Sequence, residues 1–180
     1  MNKIIAIVGM CGSGKSVASE LLVKKGYKRV YFGGVTMDKL KEKGLEVTPE
    51  NEKMMREKLR EDLGMGAFAT ILLPKIKELA ETGNVVLDGL YSWDEYKILD
   101  NEFKKQMVTI GIVCDKKIRY SRLKKREIRP FTSSEARDRD LSEIENIAKA
   151  PPIAYADYYI FNNGTLEDYE KRLDEIIRQI

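Results

Sequence analysis

The chain has 180 residues, 43% hydrophobic and 34% charged, and its 32 Lys plus Arg against 29 Asp plus Glu give a formal charge of +3. That is the composition of one globular domain long enough to bury a core. So small a basic excess excludes a dedicated polybasic nucleic-acid or membrane protein by bulk charge, and the absence of histidine excludes imidazole catalysis and histidine-ligated zinc.

Ile4 to Val8 is a continuous aliphatic run, the pattern of a strand buried on both faces of a parallel sheet. Gly9, Gly12 and Gly14 break it with no small-residue cleavage site following, which argues against a signal segment. Residues 15–25 read as a helix with Val17, Leu21 and Leu22 inward, and Lys28 to Phe32 as a second strand. Residues 36–63 read as two helical pieces broken between Gly44 and Pro49, with Thr48 as N-cap and Met54, Met55, Leu59 and Leu63 as an apolar seam. A helix over 65–82 carries Pro74 as a kink or break.

Val85 to Leu87 form a third strand ending at Asp88-Gly89, and residues 93–104 a helix. Met107 to Cys114 is a fourth strand, followed by a helix to about Lys125. Thr132 and Glu135 fit a capping box opening a helix to about Ala148, which Pro151 and Pro152 stop. Tyr158 to Phe161 is a fifth strand. Thr165 caps a final helix with Leu166, Tyr169, Leu173, Ile176, Ile177 and Ile180 on one face. Strands alternating with helices predict an α/β domain, three layers around a five-stranded parallel sheet. Ligands of such sheets bind at the carboxyl ends of the strands.

One such end carries Gly9-Met10-Cys11-Gly12-Ser13-Gly14-Lys15-Ser16, which fits the G-x-x-x-x-G-K-[ST] phosphate loop. Its glycines allow backbone angles that turn N–H groups onto phosphate oxygens. The helix entered at Lys15, Ser16 and Val17 adds the positive end of its dipole. Lys15 then reaches the outer phosphates and Ser16 offers a hydroxyl to Mg²⁺. The cofactors expected are ATP and Mg²⁺.

A guanine-reading N-K-x-D is absent after the fourth strand, where Cys114-Asp115-Lys116-Lys117 stands. The chain length and the basic segment from Lys124 to Arg139 suggest a small-molecule kinase. Arg126, Arg129, Arg137 and Arg139 are its candidate lid cations, since an arginine closing over a transferring phosphoryl group contributes about 10³–10⁵ in rate. The alternative is a solvated helix pairing Arg with Glu135, Asp138 and Asp140, each pair contributing at most about 1 kcal/mol. Asp88, ending a strand beside the loop, is the candidate for Mg²⁺ or acceptor contact; a turn aspartate before Gly89 is the plain alternative. Tyr91 and Trp93 either stack on an acceptor base or pack in the core. Asp38 reads as an exposed helical acid. Lys39, Lys41, Arg56 and Arg60 are possible acceptor-phosphate contacts.

Val86-Leu87-Asp88-Gly89, the run Arg129 through Glu135-Ala136 to Arg139, and Ala156-Asp157 through Asn162, Gly164 and Glu167 resemble motifs of the dephospho-CoA kinase and nucleoside monophosphate kinase branch of P-loop kinases. Gly44 to Asn51, Leu63 to Ala69 and Leu73 to Lys75 resemble an uncharacterised, largely archaeal nucleotide-kinase-like group. The resemblance implies one kinase domain over 1–180, with a helical acceptor-binding insert over about 36–82 and a lid over about 124–148. It also implies Mg·ATP-dependent transfer to a nucleotide-like small molecule, dephospho-CoA or a nucleoside monophosphate.

Three features depart from that pattern. Gly33-Gly34-Val35 replaces the aspartate that dephospho-CoA kinases carry after the second strand. The arginines that nucleoside monophosphate kinases place near Met37 and near Tyr91 are absent. The rival readings are an ATP-binding regulatory module with weak or no kinase activity, and a nucleic-acid end kinase, which the charge disfavours. Two cysteines, Cys11 and Cys114, far apart and not in a C-x-x-C pair, do not make a disulfide framework, and no apolar run approaches the roughly 20 residues of a membrane helix. The expectation is a cytoplasmic protein with no membrane partner.

Overall fold

The structure is a computed structural model that describes residues 1–127 and 130–180. Arg129, one of the candidate lid arginines, lies outside the described residues. The strands are β1 (Ile4–Val8), β2 (Lys28–Tyr31), β3 (Val85–Asp88), β4 (Met107–Val113) and β5 (Tyr158–Phe161). The helices are α1 (Lys15–Lys24), α2 (Phe32–Glu42), α3 (Pro49–Leu63), α4 (Ala67–Thr82), α5 (Trp93–Phe103), α6 (Lys116–Lys124), α7 (Ser133–Ile147), α8 (Ala150–Ala154) and α9 (Leu166–Ile177).

The five strands make one sheet in the order β2-β3-β1-β4-β5, every neighbouring pair parallel. The period of two along a strand divides its side chains between two layers. Ile4, Ala6 and Val8 join Phe32, Leu40, Met55, Phe68, Ile76 and Leu99 in the layer built by α2 to α5. Ile5 and Ile7 join Ala18, Leu22, Tyr169, Leu173 and Ile176 of α1 and α9 on the other face. A strand buried on both faces has no polar position to offer, which is why β1 reads as an unbroken aliphatic run. The expected three-layer α/β fold is the one observed.

Several local expectations are corrected. β2 ends at Tyr31, and α2 begins at Phe32 rather than near Thr36. α4 continues through Pro74 as one helix, so Pro74 does not break it. Met55 and Leu59 are buried, whereas Met54 and Leu63 are about half exposed, so the seam on α3 is narrower than its sequence spacing. Ala148, in the left-handed conformation at φ 49°, ends α7; Pro151 and Pro152 lie inside α8 instead of terminating its predecessor. Leu166 is exposed, while Tyr169, Leu173 and Ile176 carry the buried face of α9. The predicted N-caps Thr48, Thr132 and Thr165 all accept a backbone N–H from the third residue on.

Candidate functional site

The loop between β1 and α1 stands at the carboxyl end of the central strand. Gly9 sits at φ 152° and Gly14 at φ 102°. A Cβ on Gly9 would lie 2.6 Å from the Ile112 carbonyl oxygen, and one on Gly14 would collide with the Asn162 amide. Gly14 is the N-cap of α1 and offers no side-chain hydrogen bond; Val17 N–H turns back to Gly14 O at 3.2 Å, and no side chain of the cap residue takes the N–H groups before it. Ser13 Oγ is buried and has no hydrogen-bond partner.

Four carbonyls of this loop are taken up by side chains. Lys15 Nζ donates to Met10 O at 3.1 Å and Arg119 Nη1 to Cys11 O at 2.8 Å. Asn162 Nδ2 donates to Ser13 O at 2.7 Å and the Tyr169 hydroxyl to Gly14 O at 3.0 Å. With these four acceptors occupied, the loop presents N–H donors and a cation, the chemistry of a phosphate cradle. Burial, and then the charge of Lys149, lower the Lys15 ammonium from 10.5 to about 7. Ser16 is exposed at the mouth of the loop, and Met10, Cys11, Gly12 and Val17 are partly exposed. These features fit the phosphates of a nucleotide.

Arg119 fastens the loop to α7. Its guanidinium meets the Asp140 carboxylate in two hydrogen bonds, 3.1 and 2.6 Å, and both residues are only 6% exposed. The Tyr120 hydroxyl also donates to Asp140, at 3.2 Å. From the same helix Arg122 donates to Asn162 Oδ1 and to Cys114 Sγ, both at 3.4 Å.

Asp88 lies buried at the end of β3, ion-paired with Arg29 of β2. Beyond it, the Tyr91 ring lies 4.9 Å from the Lys149 ammonium. Lys149, 2% exposed, donates to Glu143 Oε2 at 2.5 Å, and Arg139 Nε donates to Glu143 Oε1 at 2.8 Å. Burial would raise the Glu143 carboxyl, but the two cations more than offset it and hold it low. Glu95, fully buried, accepts the N–H groups of Tyr91 and Ser92 through one oxygen. Its other oxygen has no hydrogen-bond partner, and burial raises its carboxyl from 4.5 to about 7.

The structure brings together many of the candidate residues. Lys15, Ser16 and the loop glycines stand at the end of β1, and Asp88 at the end of the adjacent β3. Arg139 faces this group through Glu143, and Arg126 Nη1 lies 4.0 Å from Cys11 Sγ. Arg137 and Asp138 are exposed on α7, and Asp140 is buried rather than solvated. Trp93 stacks on Tyr96 at 4.9 Å, which favours packing over base recognition. Asp38 and Lys41 are exposed, Lys39 pairs with Glu42, and Arg56 with Glu52. Arg60 lies over the Phe68 ring, its Nε buried and without a hydrogen-bond partner.

Sequence reasoning placed Asn162 at a strand end beside the site but missed Arg29, Arg119 and Arg122. The i, i+3 spacing of Arg119 and Arg122 places them on one face of α6, a signal that was available; Arg126 lies beyond the end of that helix.

The cradle and the parallel sheet define a P-loop protein of kinase-like fold. The chain belongs to the AAA domain family, whose model matches residues 5–143, and to the UPF0200 proteins. UPF0200 protein PH1008 of Pyrococcus horikoshii is 32% identical over 98% of this chain and 97% of its own length. Among solved structures, shikimate kinase from Bacteroides thetaiotaomicron superposes with a TM-score of 0.62 at 15% identity, covering 98% of this chain and 97% of that one. A gluconokinase from Sinorhizobium meliloti gives 0.59 at 14%, covering 98% and 94%. At these identities the two enzymes show the shared fold. No helix among the described residues is long and apolar enough to cross a membrane.

Proposed function

We propose that this chain is a Mg·ATP-dependent small-molecule kinase whose acceptor is nucleotide-like, either dephospho-CoA or a nucleoside monophosphate. The observation that carries the reading is the cradle: an α1 with no side-chain N-cap, Lys15 donating to the Met10 carbonyl, and three further loop carbonyls bound by Arg119, Asn162 and Tyr169. The kinase-like neighbours support the reaction class, and the family resemblance supports the acceptor class.

Bound Mg·ATP supplies the group transferred: an acceptor oxygen bonds to the γ-phosphorus as the bond to the bridging oxygen breaks, its electron pair leaving on ADP. The loop N–H groups and Lys15 hold the donor phosphates in place. Among the described residues no group of three or more His, Cys, Asp or Glu is arranged to hold a metal ion. Mg²⁺ on nucleotide phosphates takes only one or two protein ligands, a role Ser16 and Asp88 can fill. Asp88 also faces the acceptor side, where a carboxylate can take the proton of a hydroxyl acceptor. Arg126 and Arg139 supply charge from the segment read as a lid, which closes against water.

A second reading, an ATP-binding regulatory module, draws on the Arg29–Asp88 pair, because that ion pair occupies the carboxylate the transfer calls on. The test is ADP release from Mg·ATP with the ribonucleoside and deoxyribonucleoside monophosphates and dephospho-CoA. Strong stimulation by one acceptor establishes the kinase. ATP binding without stimulation by any of them supports the regulatory module.

A further inference from the structure

One guanidinium joins three parts of the chain. Arg119 Nη1 donates to the Cys11 carbonyl of the phosphate loop at 2.8 Å and to Asp140 Oδ1 at 3.1 Å, and its Nη2 donates to Asp140 Oδ2 at 2.6 Å. Both residues are buried, and a guanidinium clamped by two carboxylate oxygens is held in one orientation. The backbone of α6 also lies directly on the loop: a Cβ on Gly12 would stand 2.9 Å from the Arg119 carbonyl oxygen and 3.0 Å from Leu123 Cγ. An ion pair that served only to join α6 to α7 has no need of a loop carbonyl as its third partner.

The consequence falls on the next N–H. A trans peptide is planar, with its C=O and N–H pointing opposite ways. Drawing the Cys11 carbonyl onto Arg119 therefore turns the Gly12 N–H away from α6. Asn162 does the same to the Ser13 carbonyl and so to the Gly14 N–H, and Asn162 is itself met by Arg122, one turn along α6 from Arg119, at 3.4 Å. Among the described residues neither the Gly12 nor the Gly14 N–H has a hydrogen-bond partner. Loop N–H groups turned this way are what a phosphate oxygen binds. A glycine such as Gly12, at φ 79°, lets its peptide rotate at little cost once nothing holds the carbonyl. Resting on the nucleotide-binding part of the reading above, we propose that Arg119 is a positioning residue: braced by Asp140 of α7, it fixes the Cys11–Gly12 peptide with its N–H toward the phosphates. Docking of α7 and binding of nucleotide then favour the same loop conformation, and each strengthens the other by the same factor.

The experiment is titration calorimetry with Mg·ADP on the full chain and its variants, beside amide hydrogen exchange. Arg119→Met combined with Asp140→Leu replaces the buried pair by apolar groups of similar size, a change that leaves folding stability near that of the wild type or above it. Tyr120, partly exposed, turns its hydroxyl to water in that variant. Its affinity for Mg·ADP is expected to fall at least tenfold with little change in Tm, and its Gly12 amide to lose the exchange protection that Mg·ADP gives it in the wild type. A pair that only joined two helices would move neither readout. In the wild type Mg·ADP is expected to slow exchange across α7 at least threefold, a measurement that needs no substitution. Undiminished affinity in the double variant, or α7 exchange in the wild type that Mg·ADP leaves unchanged, would overturn the proposal. A wild-type chain that binds no Mg·ADP, or a Lys15→Ala variant that binds it normally, overturns the underlying site reading and this proposal with it. Normal wild-type binding beside an equally tight double variant overturns this proposal alone.

Discussion

Asn162, just beyond the last strand, donates its side-chain amide to the backbone carbonyl of Ser13 in the first loop, 149 residues earlier and 2.7 Å away. The same amide nitrogen stands where a Cβ on Gly14 would have to be. The edge of the sheet thus sets the shape of the phosphate loop.

Gly14→Ala is expected to abolish nucleotide binding, because the residue sits at φ 102° and the new methyl collides with Asn162. Asn162→Ala, which removes one hydrogen bond at a net cost of about 1 kcal/mol, is expected to weaken nucleotide binding roughly fivefold. Calorimetric titration with Mg·ADP measures both. Wild-type affinity in Gly14→Ala would show that the loop does not need its observed backbone.

Asp140→Ala leaves the buried Arg119 guanidinium without its partner, at a cost of about 3–5 kcal/mol. For a chain of this size that corresponds to a fall in Tm on the order of 10 °C. Thermal unfolding followed by circular dichroism reads it directly. A change below about 2 °C would mean that the α6–α7 pair behaves as a surface contact.

Binding of ATP is expected to take up protons above pH 7. Free Lys15 loses its proton through about pH 7, while a bound phosphate favours the charged ammonium and draws a proton back on. At pH 8 the uptake approaches one proton, and affinity falls as pH rises from 7 to 9. Calorimetry in two buffers of different ionisation enthalpy measures the uptake. No uptake at pH 8 would show that Lys15 is charged in the free protein.

Glu95 gives a pH dependence to stability. Its carboxyl stands at about 7 in the folded chain against 4.5 unfolded, so the folded state holds a proton that the unfolded state has released between those values. Its contribution is complete below pH 4.5 and lost as pH rises through 7, on the order of 1–3 kcal/mol. Urea unfolding of wild type and Glu95→Gln at pH 5 and pH 7 tests this. The variant is expected to lose most of the difference, and an equal slope in both proteins would assign it to other groups.

Legibility in the sequence followed the range of the interactions involved. β1 could be read because five consecutive aliphatics have no other stable place, and the phosphate loop because its glycines, lysine and serine act within eight residues. The capping boxes at Thr132 and Thr165 are equally local. Asp140 reads as a solvated acid on a charged helix, and only its meeting with Arg119, 21 residues away, makes it buried. The seam on α3 was read too wide because spacing shows which residues share a face but not how much of that face a neighbour covers.

By itself the sequence determined the α/β class, the five strands and the phosphate-loop motif at Gly9 to Ser16, since these rest on hydrophobic periodicity and on backbone angles permitted residue by residue. Tertiary structure alone decided what holds that loop: Asn162 on Ser13 O, Tyr169 on Gly14 O, and Arg119 on Cys11 O with Asp140 behind it. Those partners are brought within 3 Å by closure of the sheet and docking of α6 on α7. The free energy of each pair depends on burial, and no pattern along the chain encodes burial before the layers have packed.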